Sequence, residues 1–251
     1  MCLESDVTDG IARIKLARPD VGNALDLPTA CALQAAVAGL AGVDIATVVI
    51  SADGPLFCAG GDVRAMAAAS DRAGFVRRLA DTMHDALRAL RALPVPVVAA
   101  VQGTAAGAGL GIVLAADVVI ASEKAKFVSA YGRIGVSPDC GVTALLPTTI
   151  GIRRAALFLL TDLVLDAATA TEWGLVTEHC PPDDLDARVS EVVAALCDRS
   201  RAAVGEAARL VRLAAERSFA DQLDDEAATI ARLSTTADAD ALIRQFASGP
   251  H

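Results

Sequence analysis

Aromatic residues are scarce in this chain, which has one tryptophan, one tyrosine and six phenylalanines among 251 residues. Single-stranded nucleic acids bind by stacking their bases on aromatic side chains, and all nucleic acids are attracted to basic surfaces. The net charge of −9 and the pI of about 4.8 are unfavourable for such binding. We therefore expect no nucleic-acid partner, whereas a local group of basic residues can still hold a phosphorylated ligand.

Long apolar runs and paired cysteines are missing as well. The apolar stretch 110–116 stops at Asp117, far short of the roughly 20 residues that span a bilayer. The N-terminal residues contain no basic segment followed by an apolar run, so we expect no signal peptide and no membrane partner. The six cysteines form no C-x-x-C pair, which predicts free thiols in the cytoplasm and neither a metal site nor a disulfide framework.

What the chain does contain is an alternation of short apolar segments with Ala-rich amphipathic segments. The stretches 47–51 and 95–101 have the composition of buried strands, and 63–93 has that of one or two helices. This alternation predicts parallel βαβ units and hence an α/β fold. Strand signals stop after about residue 185, so we expect a core over 1–186 and a helical segment over 187–251.

Two glycine-rich stretches stand between a predicted strand and a predicted helix. They read FCAGGD at 57–62 and GTAAGAG at 103–109. Small residues let a ligand approach the backbone, and helix N-termini present unpaired N–H groups to negative charge. From the residues alone, the stretches are either tight turns or two halves of an oxyanion hole. A dinucleotide site is not indicated, because 107–112 reads G-x-G-x-G instead of G-x-G-x-x-G.

Together with three further segments, these stretches resemble the crotonase, or enoyl-CoA hydratase/isomerase, superfamily. The matching segments follow the family's order and spacing from about residue 11 to residue 182. The resemblance implies a crotonase spiral of ββα units and an acyl-CoA thioester substrate. It also implies no cofactor beyond the coenzyme A of that substrate, and assembly as a homotrimer or a dimer of trimers. The segments are RPDVGNAL at 18–25, FCAGGDV at 57–63, VPVVAAVQGTAAGAGLGIVLAADVVIAS at 95–122, KFVSAYGRIGVSPDCG at 126–141 and TEWGLVTEHCP at 171–181.

The resemblance also assigns roles to individual positions. The backbone amides of Gly61 and Ala108 are expected to hold the thioester oxygen as it becomes an enolate oxygen. Such a donor contributes on the order of 3 kcal/mol to catalysis. Arg64 matches a position near the CoA phosphates, although an exposed helical arginine is more often a solvated charge. The other substrate-binding positions that the resemblance implies are Asn23, Ala24, Leu25, Ala59, Gly60, Gly107 and Tyr131, the last as a pocket wall.

The acid–base residues depart from the hydratase pattern. Hydratases of this family hold water between two glutamates, and the matching positions here are Gly111 and Tyr131. Asp139 lies where isomerases and benzoyl-CoA dehalogenases of the family place a functional aspartate, and the PDCG pattern resembles ring-epoxide isomerases. We expect Asp139 to carry a proton between two carbons of an enoyl chain. The structural alternative is a helix start, with Ser137 as the cap and Asp139 in the first turn.

His84 is the second candidate for chemistry. The dehalogenases have a catalytic histidine at the matching place, so one alternative to an isomerase is an aryl-CoA hydrolase that uses Asp139 and His84. The other alternative, which the family resemblance implies, is a hydratase. A lone helical histidine is otherwise a structural or solvated residue, and a non-catalytic acyl-CoA-binding protein is a further hypothesis. The region around Phe246 resembles the family's C-terminal CoA-contacting segment only weakly, because it lacks the usual lysine.

Overall fold

The computed structural model describes residues 2–249, which form two sheets wrapped by helices. One sheet has six strands in the order β1-β2-β3-β5-β7-β10, and the other has four in the order β4-β6-β8-β9. Neighbouring strands are parallel except for the pairs β1/β2 and β8/β9. The predicted α/β fold is thus confirmed. The strands are β1 Leu3–Thr8, β2 Ile11–Leu16, β3 Thr47–Ala52, β4 Leu56–Cys58, β5 Val97–Val101, β6 Thr104–Ala106, β7 Val118–Ser122, β8 Lys126–Val128, β9 Val164–Asp166 and β10 Glu178–Cys180.

Helices cover both faces of the six-stranded sheet, which explains why its central strands are apolar throughout. One face packs against α1, α3 and α4, and the other packs against α8. All five residues of β5 are buried. The helices are α1 Leu27–Ala38, α2 Val63–Ala68, α3 Arg72–Ala92, α4 Ala108–Leu114, α5 Val142–Ile150, α6 Ile152–Thr161, α7 Ala167–Trp173, α8 Leu185–Cys197, α9 Arg201–Leu213, α10 Phe219–Leu233 and α11 Ala237–Ser248.

The four-stranded sheet was not visible in the sequence pattern. Its members β4 and β6 lie inside the glycine-rich stretches, and each has three residues, which is too short for an alternating pattern to emerge. They pair parallel with each other, and β6 also pairs parallel with β8. The loops that follow these three strands therefore leave the sheet at one edge.

The C-terminal helices are attached to the core mainly by arginine–aspartate pairs. The buried Arg212 side chain of α9 contacts both carboxylate oxygens of Asp117 and donates to three backbone carbonyls of the segment 91–95. Arg209 of α9 binds Asp225 of α10 through two nitrogens, at 2.6 and 2.8 Å. The expected boundary at residue 186 falls in the first turn of α8, and α8 itself packs on the sheet. None of the helices within 2–249 combines the length and apolarity needed to cross a membrane.

Candidate active site

Three loops meet at the edge of the four-stranded sheet where β4, β6 and β8 end. The first is 59–62, the second is the single residue Gly107 before α4, and the third is 129–141. A β-carbon placed on Gly60 would lie 2.9 Å from the Ala106 carbonyl oxygen, so the first two loops are in direct contact. Gly60 also has a φ of +94°, which side chains rarely adopt. Glycine is thus required at this contact.

The amide of Gly61 is left without an acceptor by the way its strand segment is bridged. Leu25 donates to the Gly60 carbonyl at 2.8 Å, and Asp62 donates to the Leu25 carbonyl at 2.9 Å. In this parallel bridge, Leu25 is hydrogen-bonded to Gly60 and Asp62, the residues on either side of Gly61, and not to Gly61 itself. The Gly61 amide itself donates no hydrogen bond to any residue in 2–249. It is therefore available to a ligand oxygen.

The amide of Ala108 is available for a different reason, because it opens helix α4. The first amides of a helix have no partner within the helix, and Gly107 offers no capping side chain. No acceptor for the Ala108 amide occurs among the described residues. A β-carbon on Gly60 would lie 3.5 Å from the Ala108 nitrogen, so the second available amide borders the first loop. The expected pair of donors therefore lies on adjoining loops.

Asp139 occupies the third loop, and the structure rejects its alternative role as a helix cap. Helix α5 begins at Val142 behind Gly141, and Ser137 to Asp139 are not helical. The Asp139 carboxylate instead accepts a hydrogen bond from the Tyr131 hydroxyl at 2.8 Å. The predicted N-cap at Ser137 is wrong because the chain turns at Cys140 and Gly141, both of which have positive φ, before the helix starts.

Tyr131 is a buried residue that touches the second loop. Its ring carbon Cζ lies 3.9 Å from the place where a Gly107 side chain would begin. Burial, together with the nearby charge of Asp139, raises the pKa of Tyr131 far above its ordinary value. The phenol is therefore a neutral hydrogen-bond donor to Asp139.

His84 lies beside Asp139, on α3, and its ring is already engaged. Its Nε2 atom accepts a hydrogen bond from the Cys140 backbone amide at 3.1 Å. A neutral histidine that accepts at Nε2 carries its proton on Nδ1. The lone pair that a general base would use is consequently occupied in this arrangement.

Cys140 joins His84 and Asp139 in a cluster that sequence reasoning missed. Their ligand-type atoms all lie within 4.8 Å of one another, a spacing within reach of a metal ion. Burial, reinforced by the Asp139 charge, raises the pKa of the Cys140 thiol, and burial raises that of Cys58 to about 12. Since the His84 Nε2 lone pair accepts from the Cys140 amide, that nitrogen is not free to bind a cation. No local pattern marks Cys140, because its partner His84 is far away in sequence.

Position 111 has no room for a side chain. A β-carbon on Gly111 would lie 2.5 Å from the Cys140 carbonyl oxygen and 2.6 Å from the Cys140 β-carbon. Both are closer than van der Waals contact allows, and one of them is backbone. The site in which a hydratase-like glutamate would start is therefore filled by the 139–141 segment.

The loop 18–25, which contains three of the expected substrate-binding positions, is held in place by the side chain of Asn23. Asn23 is buried, accepts from the Arg18 amide, and donates to the carbonyls of Asp53 and Leu56 at 2.8 Å. Ala24 and Leu25 are buried as well. The predicted substrate contacts at 23–25 would therefore be made by the backbone.

Two further positions remain open to solvent. Ala59 is exposed at the tip of the first loop, and Arg64 is exposed in the first turn of α2. The Arg64 side chain has no hydrogen-bond or ion-pair partner within 2–249. Its guanidinium can therefore reach an anionic ligand.

A cavity of about 650 Å³ extends away from the cluster, between α3, α5 and α9. His84 and Cys140 are among its lining residues. The arginines that line it are paired with acidic residues, as Arg209 is with Asp225. Its apolar lining residues are Leu87, Ala92, Ala144, Leu145 and Leu213.

Comparison with known proteins assigns this geometry to a family. A family model described as enoyl-CoA hydratase/isomerase matches residues 6–247. The chain belongs to the enoyl-CoA hydratase/isomerase family. The predicted crotonase superfamily and fold are thereby confirmed. A protein from Mycobacterium abscessus, described as an enoyl-CoA hydratase/isomerase, has a crystal structure with a TM-score of 0.93 and 35% identity, covering 98% of this chain and 96% of that one.

Two relatives within the family are isomerases. The trans-2-decenoyl-[acyl-carrier-protein] isomerase of Streptococcus mutans is 35% identical over 195 residues, which are 76% of this chain and 74% of the relative. The 1,2-epoxyphenylacetyl-CoA isomerase of Escherichia coli is 32% identical over 228 residues, 88% of this chain and 86% of the relative. Other relatives carry hydratase names, so family membership gives an acyl-CoA enzyme and leaves its reaction to be argued from the site.

Proposed function

We propose that this enzyme moves a double bond along an enoyl-CoA thioester, with Asp139 as the proton carrier. The observation that carries the proposal is the filled space at position 111. Water addition in this family's manner uses two carboxylates, one to activate the water and one to protonate carbon. Here the first position lies against Cys140 and the second is Tyr131, which donates to Asp139. One carboxylate remains, and a 1,3-proton shift needs only one.

The reaction balances without any added reactant. Asp139 removes a proton from the carbon next to the thioester carbonyl, and the electron pair of that C–H bond shifts to form a dienolate. The charge on the thioester oxygen is held by the amides of Gly61 and Ala108. The protonated Asp139 then returns the proton to the carbon two positions further along, and the carbonyl re-forms. The product is a conjugated enoyl thioester with the same composition.

The substrate is proposed to lie across the three loops. The CoA part would follow the backbone of 23–25 and the exposed Ala59, with Arg64 near its phosphates. An acyl tail longer than a few carbons would continue past His84 into the 650 Å³ cavity, which is within the usual range for ligand pockets. One of the relatives, the Streptococcus isomerase, is named for a decenoyl chain, which is consistent with a long tail.

The aryl-CoA hydrolase reading is supported by one observation, the closeness of His84 to Asp139. In that reaction the histidine must accept a proton from water, with a free lone pair directed at the substrate. The Nε2 lone pair instead accepts from Cys140 at 3.1 Å. We therefore place the isomerase first and the hydrolase second.

We also propose that the protein assembles as a trimer or a pair of trimers. Large apolar side chains of the last three helices are open to solvent in the single chain, among them Val211, Phe219, Ile230 and Phe246, each at least 70% exposed. Such a concentration of apolar surface is typical of an interface. Sedimentation at micromolar concentration tests this part, and a monomer would reject it.

The reaction is tested with a 3-enoyl-CoA and the Asp139→Asn variant. We expect the wild type to form the conjugated 2-enoyl-CoA and the variant to lose at least a hundredfold in kcat, because a carboxamide cannot accept the proton. General acid–base groups contribute about that much. Asp183→Asn, at an exposed aspartate outside the site, is the matched control and should keep wild-type turnover.

Two outcomes would reject the isomerase. One is unchanged turnover in Asp139→Asn. The other is rapid hydration of a 2-enoyl-CoA by the wild type in the absence of any double-bond shift.

A further inference from the structure

We infer that Tyr131 is a positioning residue for Asp139, and that its hydroxyl keeps one carboxylate oxygen fixed so that the other carries the proton. This inference rests on the proposed function. It begins with the 2.8 Å hydrogen bond from the Tyr131 hydroxyl to Asp139 Oδ1. A bond from a neutral donor to a carboxylate is among the stronger hydrogen bonds in proteins.

The two carboxylate oxygens of Asp139 have different surroundings. Oδ1 accepts from Tyr131, whereas Oδ2 receives no N–H or O–H donor from the residues in 2–249. The other titratable groups facing the carboxylate are the Cys140 thiol and the His84 ring from α3. The thiol is neutral, and the His84 ring directs Nε2 to the Cys140 amide. The Cys140 thiol is a weak S–H donor to this carboxylate. Oδ2 is thus the oxygen that can accept a proton without first breaking the bond to Tyr131.

The backbone around this pair is held in conformations that resist movement. Ala130, just before Tyr131, has a φ of +62°, and Cys140, just after Asp139, has a φ of +52°. Such conformations are costly for residues with a side chain and persist only where the surroundings enforce them. Here the surroundings include the His84 contact to the Cys140 amide and the packing of Gly111 against Cys140.

One chemical consequence concerns the face of the substrate. If a single oxygen removes the proton and the same oxygen returns it, both transfers take place on the same face of the dienolate. A carboxylate that is free to rotate could swap the positions of its two oxygens between the steps. It could also exchange its proton with solvent. The Tyr131 hydroxyl opposes that rotation, because rotation would break the partly buried 2.8 Å bond.

Tyr131→Phe removes the hydroxyl and keeps the ring, so it tests the inference directly. We expect kcat to fall by roughly tenfold to a hundredfold, the usual worth of a hydrogen bond to a charged group, with KM changed less than threefold.

A second readout separates positioning from simple structural support. In deuterium oxide, the wild type should transfer most of the substrate proton internally, and Tyr131→Phe should incorporate more solvent deuterium at the new C–H position. Thr47→Val is the matched control. It also deletes a buried hydroxyl that donates a 3.0 Å bond, to the Pro96 carbonyl, but outside the site. It should lower thermal stability by a similar amount without changing the deuterium content.

The outcomes distinguish this inference from the proposed function. If Asp139→Asn abolishes turnover while Tyr131→Phe keeps the wild-type rate and deuterium content, the positioning role is wrong and the isomerase stands. If Asp139→Asn leaves turnover unchanged, the proposed function fails. If Tyr131→Phe and Thr47→Val lose activity in parallel with their stability, Tyr131 is only structural and the inference is overturned.

Discussion

Gly111 offers the sharpest test of why this chain would be an isomerase. Changing Gly111 to glutamate restores the residue type that hydratases of the family use there. The added β-carbon would lie 2.5 Å from the Cys140 carbonyl oxygen, about an ångström closer than carbon and oxygen can approach without strain. Since the obstruction is backbone, the 139–141 segment must move.

The expected cost has two parts. Overpacking at a well-packed position costs about 1–3 kcal/mol. Moving Cys140 also threatens its 3.1 Å hydrogen bond to His84, which adds about 1 kcal/mol. We therefore expect Gly111→Glu to lose about 2–4 kcal/mol of unfolding free energy and most isomerase activity, without gaining hydratase activity. The double variant Gly111→Glu/Tyr131→Glu should gain none either.

Urea denaturation measures the stability, and the absorbance of a 2-enoyl-CoA measures hydration. Gly249→Glu is the matched control, because a β-carbon there would meet no atom closer than 3.6 Å, and it should leave both quantities unchanged. The reasoning would be refuted by a Gly111→Glu variant as stable as the wild type. It would equally be refuted by a double variant that hydrates 2-enoyl-CoA at a rate comparable to the wild-type isomerisation.

Three other predictions follow from the same structure. Arg212→Met should lower the unfolding free energy, measured in urea, by about 1.5–3 kcal/mol, because the partly exposed Asp117 carboxylate and three backbone carbonyls lose their donor. Arg244→Met, which removes an exposed ion pair, should leave the unfolding free energy unchanged. The ion pairs of Asp225 lower its pKa, so their contribution to the unfolding free energy is present at neutral pH and is lost as the pH falls below about 4. The urea midpoint of the wild type should therefore drop more steeply below this pH than that of Asp225→Asn. If the acyl tail lies in the cavity, each added methylene should lower KM by up to about fourfold. Ala144→Phe should then reduce the ratio of kcat/KM for decenoyl-CoA to that for butenoyl-CoA at least tenfold, whereas the neighbouring Thr143→Phe should not. Equal ratios in the wild type and both variants would show that the tail lies elsewhere.

Much of the fold was predictable because it depends on local signals. The buried strands 47–51 and 95–101 are mostly apolar runs, and 63–93 has the composition of helices, which form as α2 and α3, so their places in an α/β fold follow from the sequence. The glycine-rich stretches also marked the two loops correctly, since Gly60 and Gly107 have the positive φ values that such turns require. The family motifs then gave the superfamily.

The limits appear where a residue's partner is distant in sequence. Ser137-Pro138-Asp139 has a good local pattern for a helix start, yet the helix begins at Val142, because tertiary contacts hold Cys140 in a left-handed conformation. Asn23 is buried and donates to the carbonyls of Asp53 and Leu56, which lie 30 and 33 residues away in the sequence. Neither outcome could be predicted from the neighbouring residues alone.

The sequence by itself determined the α/β fold, the two glycine-rich loops and the absence of the hydratase glutamates, because composition, period and residue identity are local properties. Only the tertiary structure decided that position 111 is filled, that Tyr131 donates to Asp139, and that the His84 lone pair is occupied. Each of these depends on the 139–141 segment meeting α3 and α4. Steric exclusion and hydrogen bonding act over a few ångströms, and only the folded chain brings those residues that close.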